Sequence, residues 1–268
     1  MSFVDALQHQ SQEHIKPLHW HIACRLVVEG GLRPEHITPR PPFRIESTGG
    51  GSSRKHRLVY DEAEARAGEG LILGGLKTKI VDVVVASYEL GPCLAVSLKG
   101  SMNAFRNLTN RMEEAVGDCT NLHICYPALV YGFLHVIKAN RQGQVAKAND
   151  VAVLSNGAIV DSIKRYHDTM TRLTGRADVR NQTSRYEAVA LALVDTVAPN
   201  RGELVTSYPP PDSALSFQQF FPTLYRAYDM RFVYAAPALK GVTERLVWSA
   251  DSPAFSVAQM AGLVPRVG

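Results

Sequence analysis

Three observations predict an α/β fold built around a central sheet. Two apolar runs, KIVDVVV (79–85) and CLAVSLK (93–99), have strand character and are joined by SYELGP, whose Gly91-Pro92 is a turn signal. The segment that follows places Phe105, Leu108, Met112, Ala115 and Val116 on one stripe at helical spacing, after Ser101 or Asn103 as a helix cap. A third stretch, NLHICYPALVYGFLHVIKAN (121–140), is rich in β-branched and aromatic residues. With its break at Pro127 it predicts two strands, or one interrupted strand, over that sheet.

The remaining elements follow in chain order. Residues 3–29 predict a helix, with Leu18, Ile22, Leu26 and Val27 as its stripe and Gly30-Gly31 as its stop. His19, His21 and Cys24 lie within it. Positions i and i+2 of a helix point about 200° apart, so His19 and His21 cannot converge on one ion, and the cluster reads as structural. Residues 32–57 read as irregular, broken by prolines, with a GGGSS tip followed by Arg54, Lys55, His56 and Arg57. Such a loop is either a mobile solvated segment or an arm that clamps DNA phosphates. Residues 60–70 predict a short acidic helix whose Glu62, Glu64 and Glu69 could offer a further metal ligand. A solvated face is the simpler reading. His123 and His135, in apolar surroundings, read as core histidines.

Residues 161–175 predict a helix with Ile163, Tyr166, Met170 and Leu173 inward, and 186–197, YEAVALALVDTV, predict another. The segment 164–185 is basic, carrying Lys164, Arg165, Arg172, Arg176, Arg180 and Arg185 against only Asp168 and Asp178. Arg176-x-Asp178-x-Arg180 presents forked donors suited to guanine edges or phosphates. A solvated basic face explains it as well. The tail predicts one helix, FQQFFPTLYRAYD, and two strands, RFVYAA and TERLVW.

With 268 residues, 46% of them hydrophobic and 20% charged, the chain suffices for one sizeable domain, 1–268. The net charge of +4 and pI near 8.9 are compatible with nucleic acid without requiring it. Cys24, Cys93, Cys119 and Cys125 form no CxxC pair and read as reduced core residues. The first residues do not resemble a signal peptide, and no apolar window is long enough to span a membrane. Both features predict a cytoplasmic protein with no membrane partner.

Chemistry concentrates on four residues. Asp82 interrupts an apolar strand between Val81 and Val83. Period-two alternation puts Ser97 and Lys99 on one face of the next strand. Polar groups there are costly unless they pair or bind something. Glu113 falls at the edge of the helical stripe, on the side of Arg106 and Asn110, whereas Glu114 should point away from it. Two carboxylates converging on one point bind a hard divalent cation such as Mg²⁺, and a neighbouring lysine can orient an attacking water. This is a kit for metal-dependent phosphodiester hydrolysis. A Ser97–Lys99 nucleophile pair would leave Asp82 without a role.

Asp82 on one strand, then Ser97-Leu98-Lys99 on the next, resembles the PD-(D/E)xK nuclease superfamily, with serine where the second acid usually stands. A branch of type II restriction endonucleases has that serine and takes its carboxylate from the following helix, thirteen residues beyond the lysine. Thirteen residues lie between Lys99 and Glu113. Two departures are Val81 in place of the usual proline and a short gap from Asp82 to Lys99.

The resemblance covers about 58–140, leaving 1–57 and 141–268 as helical and DNA-contacting additions. It implies a restriction-endonuclease-like mixed sheet flanked by helices, and two-strand cleavage of double-stranded DNA by a homodimer or homotetramer. It assigns metal binding to Asp82 and Glu113, water orientation to Lys99 and an indirect contact to Ser97. Arg106, Arg111, Arg176, Arg180 and Arg185 become the candidate DNA contacts. A repair, resolvase or mobile-element nuclease of the same fold, or a non-catalytic DNA-binding module, are the other readings.

Overall fold

The computed structural model describes residues 15–50, 54–101, 108–257, 260 and 262–268. The architecture is mixed α/β. Its elements in order are α1 (Lys16–Val28), β1 (Ile37–Thr38), β2 (Phe43–Thr48), β3 (Lys55–Tyr60), β4 (Gly70–Ile72), β5 (Lys79–Val81), β6 (Val83–Ser87), β7 (Gly91–Ser101), α2 (Leu108–Cys125), β8 (Val130–Lys138), α3 (Asp161–Thr171), β9 (Ala188–Val194), α4 (Phe217–Tyr228) and α5 (Lys240–Thr243). A five-stranded sheet has the order β1-β6-β7-β8-β9, and β2-β3 and β4-β5 form two-stranded sheets. The larger sheet is mixed, since β1 pairs antiparallel with β6 and β8 pairs parallel with β9.

The chain divides into two compact units. The strand–helix unit holds Ile72–Lys79 and Val96–Leu224. Its core is the β8/β9 ladder, in register from Gly132↔Ala188 to Lys138↔Val194. Parallel strands covered on both faces read as continuous apolar runs, and every residue of β9 is buried. That explains why AVALALV forms a strand where its alanine and leucine content predicts a helix: periodicity cannot separate a buried strand from a buried helix, and pairing with β8 decides. At Gly132 a Cβ would stand 2.8 Å from the Phe220 ring of α4, so any side chain there must displace that buried ring.

The 121–140 stretch also differs from expectation. Its first part is the end of α2, and one uninterrupted strand, β8, follows the Pro127 turn. His123 and His135 are fully buried, as expected of core histidines. Cys119 is buried too, but Cys125 is exposed.

The hairpin unit holds Leu18–Leu71, Ile80–Ala95 and Tyr225–Gly268. Helix α1 buries Ile22, Ala23, Leu26 and Val27 and stops as expected, with Gly31 left-handed at φ 67°. Residues 32–57 are more ordered than their prolines suggest. Strands β2 and β3 pair antiparallel from Phe43↔Tyr60 to Thr48↔Lys55, and residues 51–53, in the glycine-rich stretch, lie outside the described residues. Phe43 and Leu58 turn inward as the two fully buried residues of the pair. The acidic 60–70 stretch forms only a 3₁₀ turn, Glu62–Glu64, capped by the Asp61 carboxylate. RFVYAA is not a strand: it continues α4 as a π-turn, Asp229–Tyr234, burying Phe232 and Val233. TERLVW forms no strand either. Trp248 makes isolated bridges to His56 and Val267 and donates its indole N–H to the Val27 carbonyl at 2.9 Å. Arg245 binds Asp229 through two nitrogens, at 2.8 and 2.6 Å, and the Gly30 carbonyl at 2.9 Å.

Among the described residues, no helix is long and apolar enough to cross a membrane.

Candidate functional site

Asp82 is the residue at which the strand run breaks. KIVDVVV does not form one strand: β5 ends at Val81, Asp82 is a bend, and β6 starts at Val83. Strand β5 pairs with β4, and β6 with β1 and β7, so Asp82 lies where the backbone passes from one sheet to another. Its Oδ1 stands 3.4 Å from Nε2 of His19, on the buried face of α1. Glu69, just before β4, completes the group: donor atoms of His19, Glu69 and Asp82 all lie within 4.8 Å of one another. Among the described residues this is the one group of three side chains able to hold a metal ion, and Glu113 is not in it.

Sequence reasoning set His19 aside because its neighbour His21 diverges from it. That argument excludes a His19–His21 pair but says nothing of partners from elsewhere in the chain. Glu69 was one of three acids with nothing to single it out. The usable signal was the position of His19 on the apolar stripe, one turn before Ile22 and Ala23, where a histidine is buried against whatever the stripe covers.

Lys99, near the end of β7, faces α2. Its Nζ donates to Oε1 of Glu114 at 3.1 Å, and Arg111 donates to Oε2 of the same carboxylate at 3.1 Å. The expectation placed Glu113 at this edge and Glu114 away from it. The structure reverses the two: Glu113 is exposed and Glu114 is half-buried against the lysine. The cause is the phase of the helix. Its buried face runs through Met112, Ala115, Asp118, Cys119 and Leu122, with Val116 only partly covered. At 100° per residue that face is centred about 110° from Glu114 and about 150° from Glu113. Burial would raise the Glu114 pKa, but hydrogen bonds and charge from Lys99 and Arg111 outweigh it and hold the carboxyl below its ordinary value.

Ser97 is buried, and its Oγ shares a 2.7 Å hydrogen bond with the Tyr131 hydroxyl of β8. That bond fixes β7 two residues before Lys99. His135, also on β8, places Nε2 3.1 Å from the Ser101 hydroxyl. Burial first, then the positive charges of Arg111 and Lys99, push its pKa down to about 3.

The candidate DNA contacts separate clearly. Arg106 lies outside the described residues. Arg111, Arg180 and Arg185 are exposed. Arg176 is not available to DNA. Its side chain is buried, Nη1 donates to Glu187 at 3.0 Å, and Nη2 donates to the carbonyls of Pro127 at 3.0 Å and Val179 at 2.8 Å. A forked donor in a basic loop looked suited to bases. Here the fork closes its own loop onto the core.

No protein-family model matches the chain, and no characterised protein or solved structure matches it.

Proposed function

We propose that the chain is a metal-dependent endonuclease acting on double-stranded DNA, of the type II restriction kind. The observation that carries this reading is the convergence of Asp82, Glu69 and His19, with Asp82 at the break between two strands. Two carboxylates and an imidazole are a chemically suitable donor set for a divalent cation, Mg²⁺ by the resemblance. When bound, such a cation supplies Lewis acidity toward a phosphoryl oxygen.

The chain's own residues have distinct tasks. Asp82, Glu69 and His19 hold the cation in place of the expected Asp82–Glu113 set. By the resemblance, Lys99 is the residue assigned to orient an attacking water and to offset charge developing on a phosphate. Glu114, clamped between Lys99 and Arg111, keeps the ammonium in one position. Ser97, through Tyr131, holds the strand that carries the lysine. Arg180 and Arg185, exposed on the loop before β9, contact phosphates and set register on the duplex. By the resemblance, a homodimer or homotetramer brings one such centre to each strand.

The test is digestion of plasmid and phage DNA with Mg²⁺ or with EDTA. Discrete fragments that need Mg²⁺ support a restriction enzyme. Nonspecific or branch-dependent cutting points to another nuclease. A gel shift without cleavage points to a binding module.

A further inference from the structure

The donor set beside Asp82 is not the all-oxygen set that Mg²⁺ prefers. We infer that His19 Nε2 is a nitrogen ligand, and that the His19–Glu69–Asp82 site therefore takes first-row transition ions in preference to Mg²⁺. The inference rests on the reading that this cluster holds the cation of the proposed nuclease.

The geometry supports a single centre. Two ligands on one cation at 2.0–2.2 Å stand about 3–4 Å apart. His19 Nε2 and Asp82 Oδ1 are 3.4 Å apart, and no pair in the cluster exceeds 4.8 Å. The ligands come from three places, α1, the residue before β4, and the β5–β6 break. His19 is 3% exposed on the inner face of α1. Glu69 precedes Gly70, where a Cβ would stand 2.8 Å from Val84 Cβ, so that the backbone there lies directly on β6, two residues from Asp82. Burial is graded outward from the imidazole, through Asp82, to an exposed Glu69. An ion would have protein donors on its inner side and solvent or substrate oxygens on its outer side.

Ligand chemistry then sets the preference. Imidazole favours zinc, copper, iron and nickel, carboxylates alone favour magnesium, calcium and manganese, and affinity for a given nitrogen-containing site rises from Mn²⁺ through Co²⁺. Mg²⁺ sheds its water reluctantly and gains little from a nitrogen donor. The expected order at this site is Co²⁺ above Mn²⁺ above Mg²⁺.

The experiment is titration of the full chain, without DNA, by calorimetry with Co²⁺, Mn²⁺ and Mg²⁺, alongside the visible absorption and hyperfine-shifted imidazole proton signals of the Co²⁺ form. The expected result is Co²⁺ binding at least about tenfold tighter than Mg²⁺, with a shifted signal from one histidine. His19→Ala should collapse that ratio and remove the signal. Because His19 is buried, Glu69→Gln is the control whose fold is not at stake, and it should weaken every ion. Equal affinity for Co²⁺ and Mg²⁺ overturns the inference. So does Co²⁺ binding indifferent to Glu69→Gln, or without a histidine signal. Mg²⁺-dependent cleavage with no Co²⁺ preference defeats this inference alone. A histidine-ligated Co²⁺ site in a chain that cuts no DNA defeats the nuclease reading alone.

Discussion

Two cation–glutamate pairs in the strand–helix unit use similar groups at similar distances to opposite ends. Arg176 and Glu187 meet at 3.0 Å with side chains 0% and 1% exposed. Lys99 and Glu114 meet at 3.1 Å with side chains 33% and 38% exposed. In the first pair both groups find further partners within the chain: Glu187 accepts from the Tyr131 N–H at 2.6 Å, and the two Nη atoms of Arg176 donate to three carbonyls. In the second, each group keeps an open side. Burial decides whether a charge pair serves the architecture or remains free to act on a ligand.

The largest expected effect comes from breaking the buried pair. Arg176→Ala leaves the Glu187 carboxylate buried without its partner, which typically costs about 3–5 kcal/mol. Urea unfolding should show this as a lower midpoint. A loss of DNA affinity at unchanged stability would restore Arg176 as a DNA contact. Lys99→Ala tests the other side of the comparison. Cleavage should fall at least about 10²-fold, as for loss of one transition-state donor, while the urea midpoint and DNA affinity change little.

Overfilling the same core at Gly132 has an intermediate effect. Gly132→Val pushes a side chain into Phe220 and Leu224, at a cost of roughly 1–3 kcal/mol.

The pH dependence sharpens the contrast between groups. His135 has a folded pKa near 3 against an unfolded value of 6.5, so below pH 6.5 the unfolded state binds the extra proton. Stability should therefore fall as pH drops from 6.5 toward 3, by up to about 1.4 kcal/mol per unit. His135→Gln should flatten that part of a pH–stability profile. Glu114 acts in the same direction on a smaller scale. Its folded pKa is depressed, so its contribution is present above the unfolded value and is lost as pH falls through the folded one. The pair is half-exposed and screened, so Glu114→Gln at neutral pH should cost under about 1 kcal/mol in an unfolding titration.

What the sequence disclosed depended on whether local pattern or remote packing decided each feature. The α1 stop, the strand–turn–strand run and the polar interruptions at Asp82, Ser97 and Lys99 were legible because each is set by neighbours in sequence. The strand at 188–194 was not, since its alanines and leucines serve a helix equally well until β8 supplies a pairing edge. The hairpin at 43–60 was hidden by prolines that lie outside its strands. At the candidate site, Asp82 was visible as a charge in an apolar run, while its partners His19 and Glu69 are 63 and 13 positions away in sequence and only the fold gathers them. The choice between Glu113 and Glu114 turned on the centre of a helix face, which Asp118 and Cys119 shift by packing that no local count reveals.

The most direct test of the central claim is digestion of phage DNA by the purified chain in Mg²⁺, in EDTA, and with Lys99→Ala in Mg²⁺. The account predicts discrete fragments with the unsubstituted protein in Mg²⁺ and intact DNA in the other two reactions. Intact DNA in all three would contradict it, as would equal cutting by Lys99→Ala.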